Sequence, residues 1–144
     1  FEMMGKYFIA PLGEVSEVIY LPKYTAVPNV QDWVWGLANI RGRLLSVSDL
    51  ACFISGQRSQ FLPTQKVLCI SHNDHYVGLI VDQVLGIQHF NKKSFFSENK
   101  DLDEKVNRYC QGYFHQHNHA WNVFLFSRLL NDPKFLNASE KFIN

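Results

Sequence analysis

Few side chains in this 144-residue chain have the type and spacing to do chemistry. His115, His117 and His119 alternate, which on one strand would aim three imidazoles to the same side as metal ligands, and His72 and His75 lie in another turn. Asn118, a turn residue, falls inside the triplet and breaks the alternation. The reading is therefore no metal, with a metal-binding module or metalloenzyme on this His-rich hairpin as the alternative. Cys52, Cys69 and Cys110 are odd in number, lack Cys-x-x-Cys spacing and sit among apolar neighbours, so they read as free buried thiols in a reducing compartment. No Gly-x-Ser-x-Gly elbow, P-loop or Gly-x-Gly-x-x-Gly occurs, which leaves neither a serine nucleophile nor a phosphate a seat. No catalytic residue and no cofactor is expected.

Two other pairs invite a role. Glu17 and Arg41 carry opposite charges on strands expected side by side; they form either a buried bidentate pair that fixes a hairpin or a site where Arg41 is presented to a partner. Trp33 and Trp35 fall in a segment read as helical after Asn29, where residues two apart do not share a face. One indole is then expected at the surface, as a protein-interaction site.

Composition narrows the setting for these residues. Hydrophobic residues make up 47% and charged residues 19%, with 12 Phe, 6 Tyr and 3 Trp, enough for a packed interior and too apolar for a disordered tail. Fourteen basic against 13 acidic residues leave +1, without a run of either sign. A nucleic-acid partner, including a single strand on a small barrel, is disfavoured, as is an anionic membrane. No stretch approaches the roughly 20 apolar residues of a membrane span, so no direct membrane insertion is expected. The chain opens at Phe1 in what reads as a strand, so it is expected to be cut from a longer product.

Short runs of Val, Ile, Leu, Tyr and Phe, broken by Gly, Pro, Asn and Asp, predict a mainly β protein with strands near 1–4, 7–11, 15–21, 37–41, 43–48, 66–71, 76–81, 84–90, 110–115 and 120–126. Met4-Gly5, Arg41-Gly42, Asn73-Asp74 and His117-Asn118 suit hairpin turns that need positive φ. Helices are expected at 30–35, at 50–54 after Asp49, at 128–130 after Ser127, and from Asp132-Pro133 to the C-terminus with Phe135, Leu136 and Phe142 as its apolar stripe; 57–64 and 91–107 read as connections. Residues 7–15 align with 76–84 at an offset of 69, which also sets Val18 on Ile87, and Gly36 and Gly112 each begin a strand–hairpin–strand unit. A duplication is expected, with approximate halves 7–64 and 65–130 of a single domain 1–144. The N-terminal strand and C-terminal helix are free to cross between the halves. Val15 and Val84 then occupy equivalent places beside a pseudo-two-fold axis.

The run from Val34 to Leu50, with Gly36, Asn39-Ile40-Arg41-Gly42 and Asp49-Leu50, resembles the signature of CheW-like coupling domains. Glu17, the stretch Gly78-Leu79-Ile80-Val81-Asp82 and Gly112 extend the resemblance over essentially the whole chain, and Gln31–Trp35 and Val84–Phe90 look more like the twitching-motility (type IV pilus) branch than the flagellar one. Ser46 departs from the family's usual proline. The resemblance implies two pseudo-symmetric five-stranded SH3-like β-barrels with short helices and a C-terminal helix. It also implies a non-enzymatic adaptor that joins the cytoplasmic hairpin tip of a chemoreceptor to the regulatory domain of a CheA-type histidine kinase, in the cytoplasm at membrane-associated arrays. Val15, Glu17, Arg41 and Val84 are then expected to line a receptor-binding groove, with the kinase docking at the outer end of one barrel.

Overall fold

A computed structural model describes residues 1–140 of the protein, and their side chains as far as residue 137. Its elements, in chain order, are β1 (Glu2–Met3), β2 (Lys6–Ile9), β3 (Glu17–Tyr20), β4 (Val34–Ile40), β5 (Arg43–Asp49), α1 (Leu50–Ser55), β6 (Lys66–His72), β7 (His75–Val81), β8 (Phe95–Phe96), α2 (Glu104–Asn107), β9 (Cys110–Gln116), β10 (His119–Phe124), α3 (Phe126–Leu130) and α4 (Pro133–Glu140). They build two five-stranded sheets, β1-β2-β10-β9-β8 and β3-β6-β7-β5-β4.

The two sheets share one plan. Each has a single parallel pair, β2 with β10 and β5 with β7, and the order β1-β2-β10-β9 repeats as β6-β7-β5-β4. The halves are not the contiguous 7–64 and 65–130, however. One sheet is built from residues 17–81 and the other from 2–9 and 95–124, because the chain crosses between sheets after β2 and again after β7. Hairpin chemistry follows the sequence: Met4 (φ 54°) with Gly5, Arg41 (φ 50°) with Gly42, and His117 (φ 52°) with Asn118 place two successive residues at positive φ, the turn whose twist matches the flanking strands, and Asn73 stands at φ 53°.

Glycines at matching places let each sheet close. A Cβ on Gly36 would lie 2.2 Å from the Thr25 carbonyl oxygen, where Thr25 and Leu37 exchange backbone hydrogen bonds of 2.8 and 2.9 Å. On Gly112 it would lie 2.5 Å from the Phe96 carbonyl oxygen and from the ring of Phe95, on the strand that pairs with β9. Gly36→Ala and Gly112→Ala are each expected to lose about 2–3 kcal/mol, since backbone must retreat to admit the methyl group. Urea unfolding checks this, with Gly5→Ala, whose Cβ meets nothing within 4 Å, as the milder control.

One core cluster lies between the sheets and draws on both, with Phe8 and Phe124 from one and Leu68 and Leu79 from the other, joined by Leu50, Phe126 and Phe135 of the helices. A second, with Trp35, Ala38, Leu45, Val47, Val67, Cys69 and Ile80, fills the β3–β7 barrel.

Several local expectations change. Residues 30–33 form no helix, with a turn at 32–33, and β4 starts at Val34, because Asn29 adopts φ 62° instead of capping. A register shift between Val34 and Gly36 then sends the two indoles into different cores. Trp33 stacks on Phe135 with ring centroids 4.9 Å apart, and Trp35 packs against Tyr24 beneath the Arg58 guanidinium. Each is only 8% exposed, so neither Trp33 nor Trp35 offers a surface. Residues 84–90 form no strand: Gln83 bridges to Glu2 and the chain then crosses to the other sheet through Gly86 at φ 88°. The polar 91–107 stretch contains β8 and α2, the latter capped by Asp103 accepting from the Lys105 N–H at 2.8 Å. Helix α3 is not capped by Ser127; it starts at Phe126, whose N–H donates to Glu14 Oε1 at 3.0 Å. Asp132 accepts from the Lys134 N–H at 3.0 Å as expected, Phe135 is buried, and Phe142 lies outside the described residues.

Candidate functional site

The two crossings between sheets carry Val15 and Val84, two of the sequence-predicted site residues. Residues 10–16 lead from β2 to β3 and are tied at both ends: Glu14 accepts from α3, while the N–H and hydroxyl of Ser16 both donate to the Cys69 carbonyl, at 2.9 and 2.8 Å. Val15, between these anchors, is half-buried against the cluster between the sheets. Residues 82–94 lead from β7 to β8. The Thr64 hydroxyl donates to the Asp82 carbonyl at 2.8 Å and the Glu2 N–H to the Gln83 carbonyl at 2.8 Å. Val84, just beyond, is half-buried against the same cluster. The duplication therefore brings Val15 and Val84 from two crossings onto one core, each with a face left to solvent.

Exposed apolar side chains flank them: Leu12 (88%) and Ile87 (74%) on the two crossings, and Val18 (43%) on β3 opposite Leu68, which belongs to that core. Opposed residues on neighbouring strands share a sheet face. None of these three was singled out as a site residue from sequence; the repeat offset that sets Val18 on Ile87 was the signal for two of them.

Glu17 and Arg41 do meet, with the Arg41 Nη2 donating to Glu17 Oε1. The pair is neither buried nor bidentate, since Arg41 is 72% exposed and Glu17 29%. Nor are their strands hydrogen-bonded neighbours: β3 and β4 are opposite edges of one sheet, and its curl brings the β4–β5 turn round to β3. The hydrogen bond that Arg41 donates to Glu17 raises the pKa of Arg41 above its already high ordinary value. Exposed pairs of this kind contribute little to stability. One guanidinium donor is engaged among the described residues, and the others face water.

The remaining chemical candidates do not gather. His117 stands at a turn, His115 lies across from Ala120, and His119 packs on the Tyr7 ring with centroids 4.5 Å apart. Among the described residues no three His, Cys, Asp or Glu lie close enough to hold a metal ion. The three thiols are buried, and burial pushes them up, Cys110 to about 12, which keeps them protonated and poorly nucleophilic. No described helix is long and apolar enough to cross a membrane.

The chain thus combines two curled sheets, an apolar junction at their crossings and an ion pair at the Arg-Gly turn. The model of the CheW-like domain matches residues 1–134, and the chain belongs to that family. It is 40% identical over 139 residues to Protein PilI of Pseudomonas aeruginosa, covering 96% of this chain and 78% of that one. It is 28% identical over 83 residues to Chemotaxis protein CheW of Bacillus subtilis, covering 58% and 53%. The crystal structure of the scaffolding protein TtCheW from Thermoanaerobacter tengcongensis superposes with a TM-score of 0.72 at 18% identity, over 86% of this chain and 84% of that one, and so shares the fold.

Proposed function

We propose that this chain couples a methyl-accepting chemoreceptor to a CheA-type histidine kinase, in a chemosensory system that controls type IV pilus twitching motility at membrane-associated arrays in the cytoplasm. The observation that carries the reading is the junction itself. Val15 and Val84 sit half-buried on one core from two pseudo-symmetric crossings, with Leu12, Val18 and Ile87 exposed beside or next to those crossings. A hairpin of amphipathic helices, such as the cytoplasmic tip of a receptor, buries an apolar stripe along a wall of this kind. Glu17 is two residues from Val15 and holds Arg41, so the free donors of Arg41 meet polar groups at the edge of that stripe. The regulatory domain of the kinase docks away from the groove, at the outer end of one barrel. The identity to PilI supports the twitching-motility assignment over a flagellar one.

Arg41→Glu separates this role from a structural one. The pair is exposed, so the melting temperature is expected to stay close to that of the parent chain while binding of a receptor cytoplasmic hairpin, followed by titration calorimetry, fails. Unchanged melting with unchanged hairpin binding would remove Arg41 from the site.

A further inference from the structure

The β4–β5 hairpin and the helix after it recur later in the chain as β9, β10 and α3, in the same register. Ala38 pairs with Leu45 as Phe114 pairs with Trp121, Val34 pairs with Ser48 as Cys110 pairs with Phe124, and in both units the register shifts beside the second of these pairs. A shift of 76 residues therefore relates the two units, and it sets Leu50 on Phe126, the first residues of α1 and α3. It also sets Asp49 on Leu125, and here the units differ. Asp49 caps α1 with its own carboxylate, accepting from the Cys52 N–H at 3.1 Å, whereas Leu125 in the same place has no side-chain acceptor. Backbone N–H groups in the first turn of a helix have no intrahelical partner, and a buried one left unpaired is costly. For α3 the acceptor comes from a distant part of the chain. Glu14 Oε1 takes the N–H of Phe126, a residue only 1% exposed, at 3.0 Å.

Glu14 belongs to the first crossing between the sheets, so this bond joins a wall of the groove to the body of the protein. The Glu14 N–H donates to the Pro11 carbonyl at 3.2 Å and Gly13 stands at φ 100°, which closes a turn with the exposed Leu12 at its tip. Val15 follows directly, half-buried against the cluster that contains Phe126. Among the described residues no other hydrogen bond ties residues 11–15 to the rest of the molecule, and the next tie is that of Ser16 to Cys69. A surface segment with so few contacts opens easily once its one polar anchor is gone. The footing of that anchor is firm. Phe126, Leu129 and Leu130 of α3 are all buried, and Arg128 donates to the Cys110 carbonyl at 2.8 Å.

We infer that Glu14 is a positioning residue for the receptor groove: its carboxylate, bonded to the Phe126 N–H, fixes where Leu12 and Val15 stand and touches no partner itself. The inference rests on the coupling function proposed above. Glu14→Ala removes the acceptor, and Glu14→Gln keeps an oxygen in its place without the charge. The alanine variant is expected to bind the cytoplasmic hairpin of a chemoreceptor from the same organism about 10-fold more weakly, because the wall must then be ordered during binding, and the glutamine variant within about twofold of the parent. Binding of the kinase regulatory domain is expected to hold, with a fall in Tm of no more than about 4 °C. The Phe126 amide should exchange its hydrogen faster in the alanine variant alone. Leu125→Asp, added to Glu14→Ala, gives α3 the cap that α1 has, and the hairpin affinity should stay weakened because the crossing is still loose. Recovery of that affinity would show that Glu14 serves the helix and not the wall. An equal loss in the glutamine variant would make Glu14 a charged contact to the receptor, and unfolding of the alanine variant or equal loss of both partners would make it a structural cap; each of these overturns the positioning role. If the unaltered chain binds no hairpin, the coupling function itself fails. If it binds and the alanine variant binds within about twofold of it, the coupling function stands and the positioning role is overturned.

Discussion

Asp49→Ala is expected to destabilise the protein by about 4 kcal/mol, roughly 10 °C in Tm for a domain of this size. The carboxylate is fully buried, accepts from the Cys52 N–H at 3.1 Å as the cap of α1, and accepts the backbone N–H and hydroxyl of Ser59 at 2.7 Å each. Alanine leaves the buried Cys52 N–H and the two donors of half-buried Ser59 without this partner, and each buried donor left unpaired costs about 1–3 kcal/mol, offset in part by relief of the buried charge. Asp49→Asn, which keeps one acceptor oxygen, should fall between the two. Thermal and urea unfolding check the order. A Tm within about 2 °C of the parent for the alanine variant would mean that water replaces the carboxylate and that Ser59 is not held as described.

The largest expected effect on binding lies at the junction. Val15→Asp and Val84→Asp are each expected to weaken the receptor hairpin by at least about 100-fold, since a carboxylate on an apolar wall must be desolvated when a helix covers it. The fold should survive, because both positions are half-buried and a carboxylate there keeps contact with water. Kinase-domain binding should also persist. Calorimetry with each partner, alongside circular dichroism, decides the matter. Unfolding of both variants, or loss of the kinase domain with the hairpin retained, would contradict the groove.

What the sequence made legible was what local chemistry controls. The turns at Met4-Gly5, Arg41-Gly42 and His117-Asn118 were readable because positive φ is a property of one or two residues. The duplication was readable because the offset of 69 preserves strand character, and the structure repeats the strand order it implied. The division into contiguous halves failed because chain order does not reveal which strand crosses to which sheet. The helix at 30–35 failed for a different reason: Trp33-Val34-Trp35 has no period that separates a helical turn from a bulged strand, and the bulge that sends the two indoles into separate cores is a tertiary choice. Val15, Val84 and the contact between Glu17 and Arg41 were found from repeat and charge. The exposure of that pair was not, since burial at a turn depends on how far a sheet curls. Residues 57–64 were legible as a connection, but nothing local shows that Ser59 within it reaches Asp49 ten residues away.

The central claim is that this chain holds two different proteins at once, and sedimentation velocity on a mixture of the chain, a receptor cytoplasmic hairpin and the kinase regulatory domain tests it most directly. A single boundary containing all three, absent when this chain is omitted, is the predicted result. Two binary complexes that exclude one another, or a mixture in which the hairpin and the kinase domain sediment without this chain, would contradict it.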